Sequence, residues 1–154
     1  MAGKSGEKLI ASNKKARHEY EFLDKHEAGL VLTGSEVKSL RDGKVSFKDS
    51  YVKISGGEAW LTGVRIAPYE NAGYAQHDPE RDKKLLLHKR EIDLLTRKTE
   101  AKGLTLVPTR MYFKQGRAKV EIALARGKQL HDKRQAIKDR DLAREAERQL
   151  SKYS

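Results

Sequence analysis

Arg140, Arg144, Arg148 and Lys152 recur every four residues near the end of this 154-residue chain. That spacing lines four cations along one face of any helix formed there. Their chemistry is electrostatic, since a row of fixed positive charge suits the phosphates of a polyanion. Like charges so placed repel by about 0.2–0.5 kcal/mol per pair, and Leu142, Ala146 and Leu150 offer only a thin apolar seam. A disordered basic tail that becomes helical against phosphates is therefore expected. Catalytic chemistry has less to work with. His18, His26, His77, His88 and His131 are scattered without metal-helix spacing, so no metal site is expected. GSEVKSLRDGK at 34–44 has the glycines and lysines of a phosphate loop without its spacing, and no nucleophile elbow occurs. Glu19, Glu27, Glu36 and Asp49 have basic neighbours that suit ion pairs better than acid–base work. Cysteine is absent, which removes thiol nucleophiles, disulfides and cysteine-based zinc sites. A binding protein without enzyme activity or cofactor is the expectation.

Charge narrows the partner. Thirty-three Lys and Arg face twenty-two Asp and Glu, for a formal net charge of +11. Eight of the basic and five of the acidic residues lie in 127–154, so the rest of the chain is cationic as well. An excess of this size in a small chain points to nucleic acid ahead of acidic proteins or anionic membranes. The chain has no long apolar run and no recognisable secretory or lipidation motif, so no membrane role and a cytoplasmic location are expected.

The elements that must position such a surface are mainly β. Tyr51, Ile54, Trp60, Leu61, Val64 and Ile66 flank Ser55-Gly56-Gly57, the pattern of a hairpin. Leu104–Lys114 and Arg117–Ala125 flank Gln115-Gly116 as a second hairpin. There Val120, Ile122 and Leu124 alternate with Lys119, Glu121 and Ala123, which implies one inward face. Pro108 within that hairpin predicts an edge or a bulge. Strands are expected near 19–23 and 30–32, and helices over Ser35–Asp42, with Ser35 as N-cap, and over about Lys89–Lys102. In KLLLHKRE at 84–91, Leu85 and Leu87 should fill the core while Leu86 projects outward, able to stack on an unpaired base. The sum is a small OB-fold-like β-barrel of about six strands with two or three short helices, closed or partly open, with a split α+β sheet as the alternative. One domain is expected: a flexible arm over 1–12, the barrel over 13–126, and the basic tail over 127–154.

Five stretches then stand out: NKKARHEYE at 13–21, HEAGLVLTGSEVKSLRDGK at 26–44, DSYV at 49–52, RDKKLLLHKRE at 81–91 and ARGKQLHDKR at 125–134. In order and wording, from about Asn13 to Leu150, they resemble the SmpB family, the protein partners of transfer-messenger RNA in bacterial trans-translation. The resemblance implies an OB-like barrel that grips the tRNA-like domain of that RNA at its elbow and single-stranded D-loop region. The matching positions are Glu27, Ala28 and Gly29 on one segment and Leu86 with His88 on another. Many relatives carry Asn where His88 stands, and an imidazole still donates and stacks. Glu27 then reads base edges or orients a loop. Lys14, Lys15, Arg17, Lys83, Lys84, Lys89 and Arg90 would supply phosphate contacts, which position without specifying.

The same resemblance gives the tail a role: a helix in the mRNA channel, downstream of the decoding centre, that is vacant only when a message has ended. Gly127, Lys128, His131, Asp132, Lys133 and Arg134 would form the hinge that meets decoding-centre RNA, with His131 stacking on a base. Arg140, Arg144, Arg148 and Lys152 would run where mRNA phosphates otherwise lie. Relatives often have a large apolar pair late in the tail; here Gln149 and Leu150 stand there, leaving Leu150 alone as the apolar grip. The implied partners are transfer-messenger RNA, the small-subunit decoding centre and, through the RNA, elongation factor Tu, with the protein a monomer. Composition alone fits a ribosomal or assembly protein with an OB-like body equally well.

Overall fold

Two tight turns set the register of most of the sheet. Gln115 and Gly116 both take positive φ, as do Gly56 and Gly57. Paired left-handed residues in a two-residue turn match the right-handed twist of the strands they join. In the computed structural model, which describes residues 6–100 and 103–127, these turns close the hairpins Tyr51–Ser55 (β4) with Glu58–Thr62 (β5) and Leu104–Lys114 (β8) with Arg117–Gly127 (β9). The other elements are Glu7–Ser12 (β1), Lys14–Glu19 (α1), Tyr20–Leu30 (β2), Gly34–Arg41 (α2), Val45–Ser46 (β3), Arg65–Ile66 (β6), Lys83–Leu86 (β7) and Lys89–Thr99 (α3). Lys128, His131, Asp132, Lys133, Arg134, Arg140, Arg144, Arg148, Leu150 and Lys152 lie outside the described residues.

Seven strands form one antiparallel sheet in the order β1-β8-β9-β2-β7-β5-β4, and β3 with β6 makes a small second sheet. The sheet curls but does not close, so the mainly β, OB-like expectation holds with an open edge on each side. Its inner face carries Val120, Ile122 and Leu124 of β9, Ala28 of β2, Leu61 of β5 and Leu85 of β7, sealed by Leu40 of α2 and Leu95 of α3. Alternation in 119–124 is thus as the sequence implies. Ala123 and Ala125, on the opposite face, are buried too, because Ala16 of α1 packs there with Val107.

Several boundaries differ from the sequence reading. Residues 7–12, expected in a flexible arm, pair with β8 as an edge strand. Strands expected at 19–23 and 30–32 are one strand, Tyr20–Leu30, and the segment before it is helical because the Asn13 side chain accepts from the Ala16 N–H. The N-cap of α2 is Thr33 rather than Ser35: its hydroxyl accepts from the Glu36 N–H while the Glu36 carboxylate accepts from the Thr33 N–H, a capping box. Ser35 instead meets His77 Nδ1 at 2.8 Å, and His77 Nε2 lies 2.9 Å from the Ile66 carbonyl. A carbonyl only accepts, so Nε2 carries a proton and donates to it. Pro108, expected at an edge or a bulge, sits at a bulge between Pro108 and Arg110, as that reading allows. Gly127, expected in the tail, is the last residue of β9 and pairs with Tyr20.

Among the described residues, one ion pair has a fully buried carboxylate. Glu36 is fully shielded and takes both Nε and Nη2 of Arg81, whose Nη2 also donates to the Val31 carbonyl. Burial pushes the Glu36 carboxyl up, but Arg81 and the Thr33 N–H outweigh it and hold it below the ordinary carboxylate range. Its stabilisation is therefore complete above that range and is lost as pH falls through the depressed folded value. Glu36→Ala is expected to cost about 3 kcal/mol in chemical denaturation near neutral pH, with the deficit shrinking in acid.

Candidate nucleic-acid interface

β2 and β7 cross where Gly29 faces Leu86 as backbone partners. A Cβ on Gly29 would press to 3.3 Å against the Leu86 Cβ, so glycine is what lets Leu86 stand over the strand. Leu85 is 2% exposed in the core, whereas Leu86, one residue on, is 56% exposed. Leaving Leu86 in water forgoes the roughly 1.5–3 kcal/mol of burying a leucine, which a partner that covers it would recover. Leu87 packs against the core from its edge.

Leu86 forms a ridge between two grooves. One is lined by Glu27, Gly29, Leu86, His88, Lys89 and Lys119, with the Lys84–Glu58 pair at 3.6 Å on its lip. The other side has Leu30, Leu32 and Val37 as an apolar floor and Arg117 at its rim. An exposed apolar ridge flanked by cations is suited to a splayed base with its phosphates. His88 is the exposed N-cap of α3, and its backbone N–H lies 3.4 Å from the Glu91 carboxylate that faces His26 Nδ1 at 3.2 Å. Glu91 thus ties the His88 segment to β2.

Glu27 is held on the outer face of β2. Its Oε1 accepts from the Tyr112 hydroxyl at 2.7 Å and lies 3.5 Å from Lys114 Nζ. The Tyr112 hydroxyl is the main reason its carboxyl sits below the ordinary range, helped by Lys114 and Lys119 against partial burial. Glu27 is an ionised acceptor in a cationic surround.

The sequence-predicted residues divide into three groups. Glu27, Gly29, Leu86, His88, Lys84 and Lys89 converge on one groove, with Ala28 buried beneath it and Arg90 exposed on α3 nearby. Lys14, Lys15 and Arg17 are exposed on α1, before Tyr20 at the other end of β2. A strand rise of about 3.3 Å per residue sets them roughly 20 Å from the groove. They precede Tyr20, which pairs with Gly127, the last residue of β9. Lys83 is a correction. It shares the inward parity of Leu85, is fully buried, and donates to the Val64 carbonyl at 2.7 Å, so it is no phosphate contact in this fold. Burial holds its amine below the ordinary lysine range. Lys119, Arg117, Lys114 and Tyr112 were missed. The Gln115-Gly116 turn fixes Tyr112 opposite Lys119, and the 119–124 alternation turns Lys119 outward with Glu121, so the outward face of both is legible locally, whereas the contact of Tyr112 with Glu27 is not.

A curved antiparallel sheet bearing an exposed apolar ridge among lysines is a small OB-like body with a surface suited to nucleic acid. The family model described as SmpB protein matches residues 10–152. The chain is 67% identical over 154 residues to the SsrA-binding protein of Solidesulfovibrio magneticus, covering 99% of this chain and 100% of that protein. It is 62% identical to the SsrA-binding protein of Oleidesulfovibrio alaskensis, covering 97% and 96%. A chain in the solved structure described as "tmRNA-SmpB: a journey to the center of the bacterial ribosome" matches with a TM-score of 0.66 at 54% identity, over 77% of this chain and 83% of that one. This chain belongs to the SmpB family.

The two neighbouring lysines separate packing from binding. Lys83→Ala is expected to lose about 2 kcal/mol of stability, since it leaves a void and an unpaired carbonyl, with RNA affinity intact in the folded fraction. Lys84→Ala should melt like the parent and weaken RNA binding with a shallower salt dependence, as read by filter binding at several ionic strengths.

Proposed function

We propose that this chain binds the tRNA-like domain of transfer-messenger RNA and delivers it to stalled ribosomes for peptide tagging and ribosome rescue. The observation that carries the reading is the convergence of Glu27, Gly29, Leu86, His88 and Lys89 on one exposed groove, in a chain that is 67% identical to an SsrA-binding protein. Leu86 supplies a stacking ridge, Glu27 an acceptor for base N–H groups, and Lys84, Lys89, Arg90 and Lys119 the phosphate attraction. Recognition and delivery ask for no catalytic group and no cofactor, so the protein acts by binding alone, in the cytoplasm, as a monomer. Elongation factor Tu is reached through the RNA.

Residues 127–154 give the second half of the function. Lys128, His131, Asp132, Lys133 and Arg134 meet decoding-centre RNA, and Arg140, Arg144, Arg148 and Lys152 line the empty mRNA channel with Leu150 as an apolar foot. The geometry of the described body supports this order of parts, because the tail root at Gly127 emerges at the α1 end, away from the Leu86 groove. Lys14, Lys15 and Arg17 then serve the ribosomal side of the molecule rather than the groove.

Deleting residues from Gln135 onward should leave affinity for the tRNA-like domain within about threefold of the parent and abolish tagging on stalled ribosomes in a reconstituted translation assay. Glu27→Ala with Leu86→Ala should do the reverse at the binding step, weakening affinity at least about tenfold while a melting curve shows the barrel still folded. A large loss of RNA affinity in the truncation, or parent-like binding by the double variant, contradicts the assignment.

A further inference from the structure

Glu27 does not stand free in the groove, and what holds it reaches across three strands. Tyr112 lies on β8, separated from β2 by β9, and its ring is 2% exposed on the outer face of the sheet. The Arg110 guanidinium covers that ring, 4.3 Å from its centre. Arg110 is itself clamped by Glu7 of β1 at 3.0 Å and by Glu121 of β9 at 3.5 Å. The hydroxyl emerges at the Glu27 carboxylate. The Tyr112 hydrogen bond and the nearest approach of Lys114 both fall on Oε1, and Oε2 accepts no hydrogen bond among the described residues. The arrangement leaves one carboxylate oxygen oriented by the protein and the other available.

We propose that Tyr112 is a positioning residue for RNA recognition: its buried hydroxyl fixes Glu27 so that the free carboxylate oxygen accepts an amino or imino N–H from an unpaired base. This rests on the groove being the RNA site. The physical need for such a device follows from charge. Phosphates arriving around Glu27 bring negative potential that favours protonating it; a protonated carboxyl would offer a donor where the base also donates, and a rotated carboxylate would aim its lone pairs elsewhere. A short hydrogen bond from a phenol that cannot turn away opposes both changes. Tyr112 stays protonated for its part, because burial and the adjacent Glu27 push its phenol above the ordinary range. Lys114 and Lys119 on the neighbouring strands, with Lys84, Lys89 and His88 across the groove, attract the RNA, but none of them is a rigid partner of Glu27.

Three variants of the full chain test this against the tRNA-like domain of transfer-messenger RNA: Tyr112→Phe, Glu27→Gln, and both together. Tyr112→Phe is expected to fold and to lose about tenfold in affinity, the worth of one hydrogen bond to a charged group. In the Glu27→Gln background the same change should add less than about twofold, because the carboxylate it serves is gone. The Glu27 carboxyl 13C signal should titrate at higher pH in Tyr112→Phe than in the parent, which a purely packing role for the ring would not produce. Parent-like RNA affinity in Tyr112→Phe while Glu27→Gln is weakened overturns the proposal and spares the groove. Parent-like affinity in Glu27→Gln overturns both. Should Tyr112→Phe fail to fold, 3-fluorotyrosine placed at 112 keeps the hydroxyl. Its 19F signal is then expected to move when RNA saturates the parent and to stay still in Glu27→Gln, and an unmoved signal in the parent overturns the proposal.

Discussion

The pairing of β2 with β9 is the constraint on which everything else hangs. Backbone partners run from Tyr20 opposite Gly127 to Gly29 opposite Lys119, with one irregularity between Phe22 and Asp24. Because successive side chains alternate in direction, this ladder decides at once what the core receives and what the surface shows. Ala28 turns inward against Val120 while Glu27 and Gly29 turn outward. A slip of one residue would bury the carboxylate and expose the alanine. The same ladder places the tail root against the start of β2, so one strand carries the groove at one end and the tail's origin at the other.

Charge is sorted by that geometry rather than spread over it. The buried Glu36–Arg81 pair and the buried Lys83 amine hold the long connection between β6 and β7 against α2 and the core. Exposed pairs such as Lys84–Glu58 and Lys15–Asp49 are in contact with water on both sides, and such pairs typically contribute under about 1 kcal/mol. Their lysines therefore transfer to phosphate at little cost. With cations at both ends of β2, the body presents two separate basic surfaces, one at the groove and one at α1.

Much of this was legible in the sequence where period-two patterning or turn chemistry acts locally. Val120, Ile122 and Leu124 inward, Leu86 outward beside Leu85, and both two-residue hairpins follow from such rules, and the family followed from motif wording. What escaped depended on contacts far apart in the chain. Residues 7–12 look like a polar arm until β8 offers them an edge. Lys83 reads as one more surface cation until its strand parity is set by Leu85 in the core. Thr33 caps α2 through a local box with Glu36, while the contact that takes up the Ser35 hydroxyl comes from His77, 42 positions on. Tyr112 carries no motif at all, and only the register of β8 on β9 on β2 brings it to Glu27.

Methyl NMR of the full chain with labelled leucines, titrated with the tRNA-like domain of transfer-messenger RNA, tests the central assignment most directly. Leu9, Leu23 and Leu86 are the exposed leucines among the described residues, and only Leu86 lies at the groove. The account requires the Leu86 methyl signals to shift at stoichiometric RNA while those of Leu23, toward the opposite end of β2, and of Leu9, on the edge strand, stay where they are. Saturation that leaves Leu86 unmoved, or that moves Leu23 instead, contradicts it.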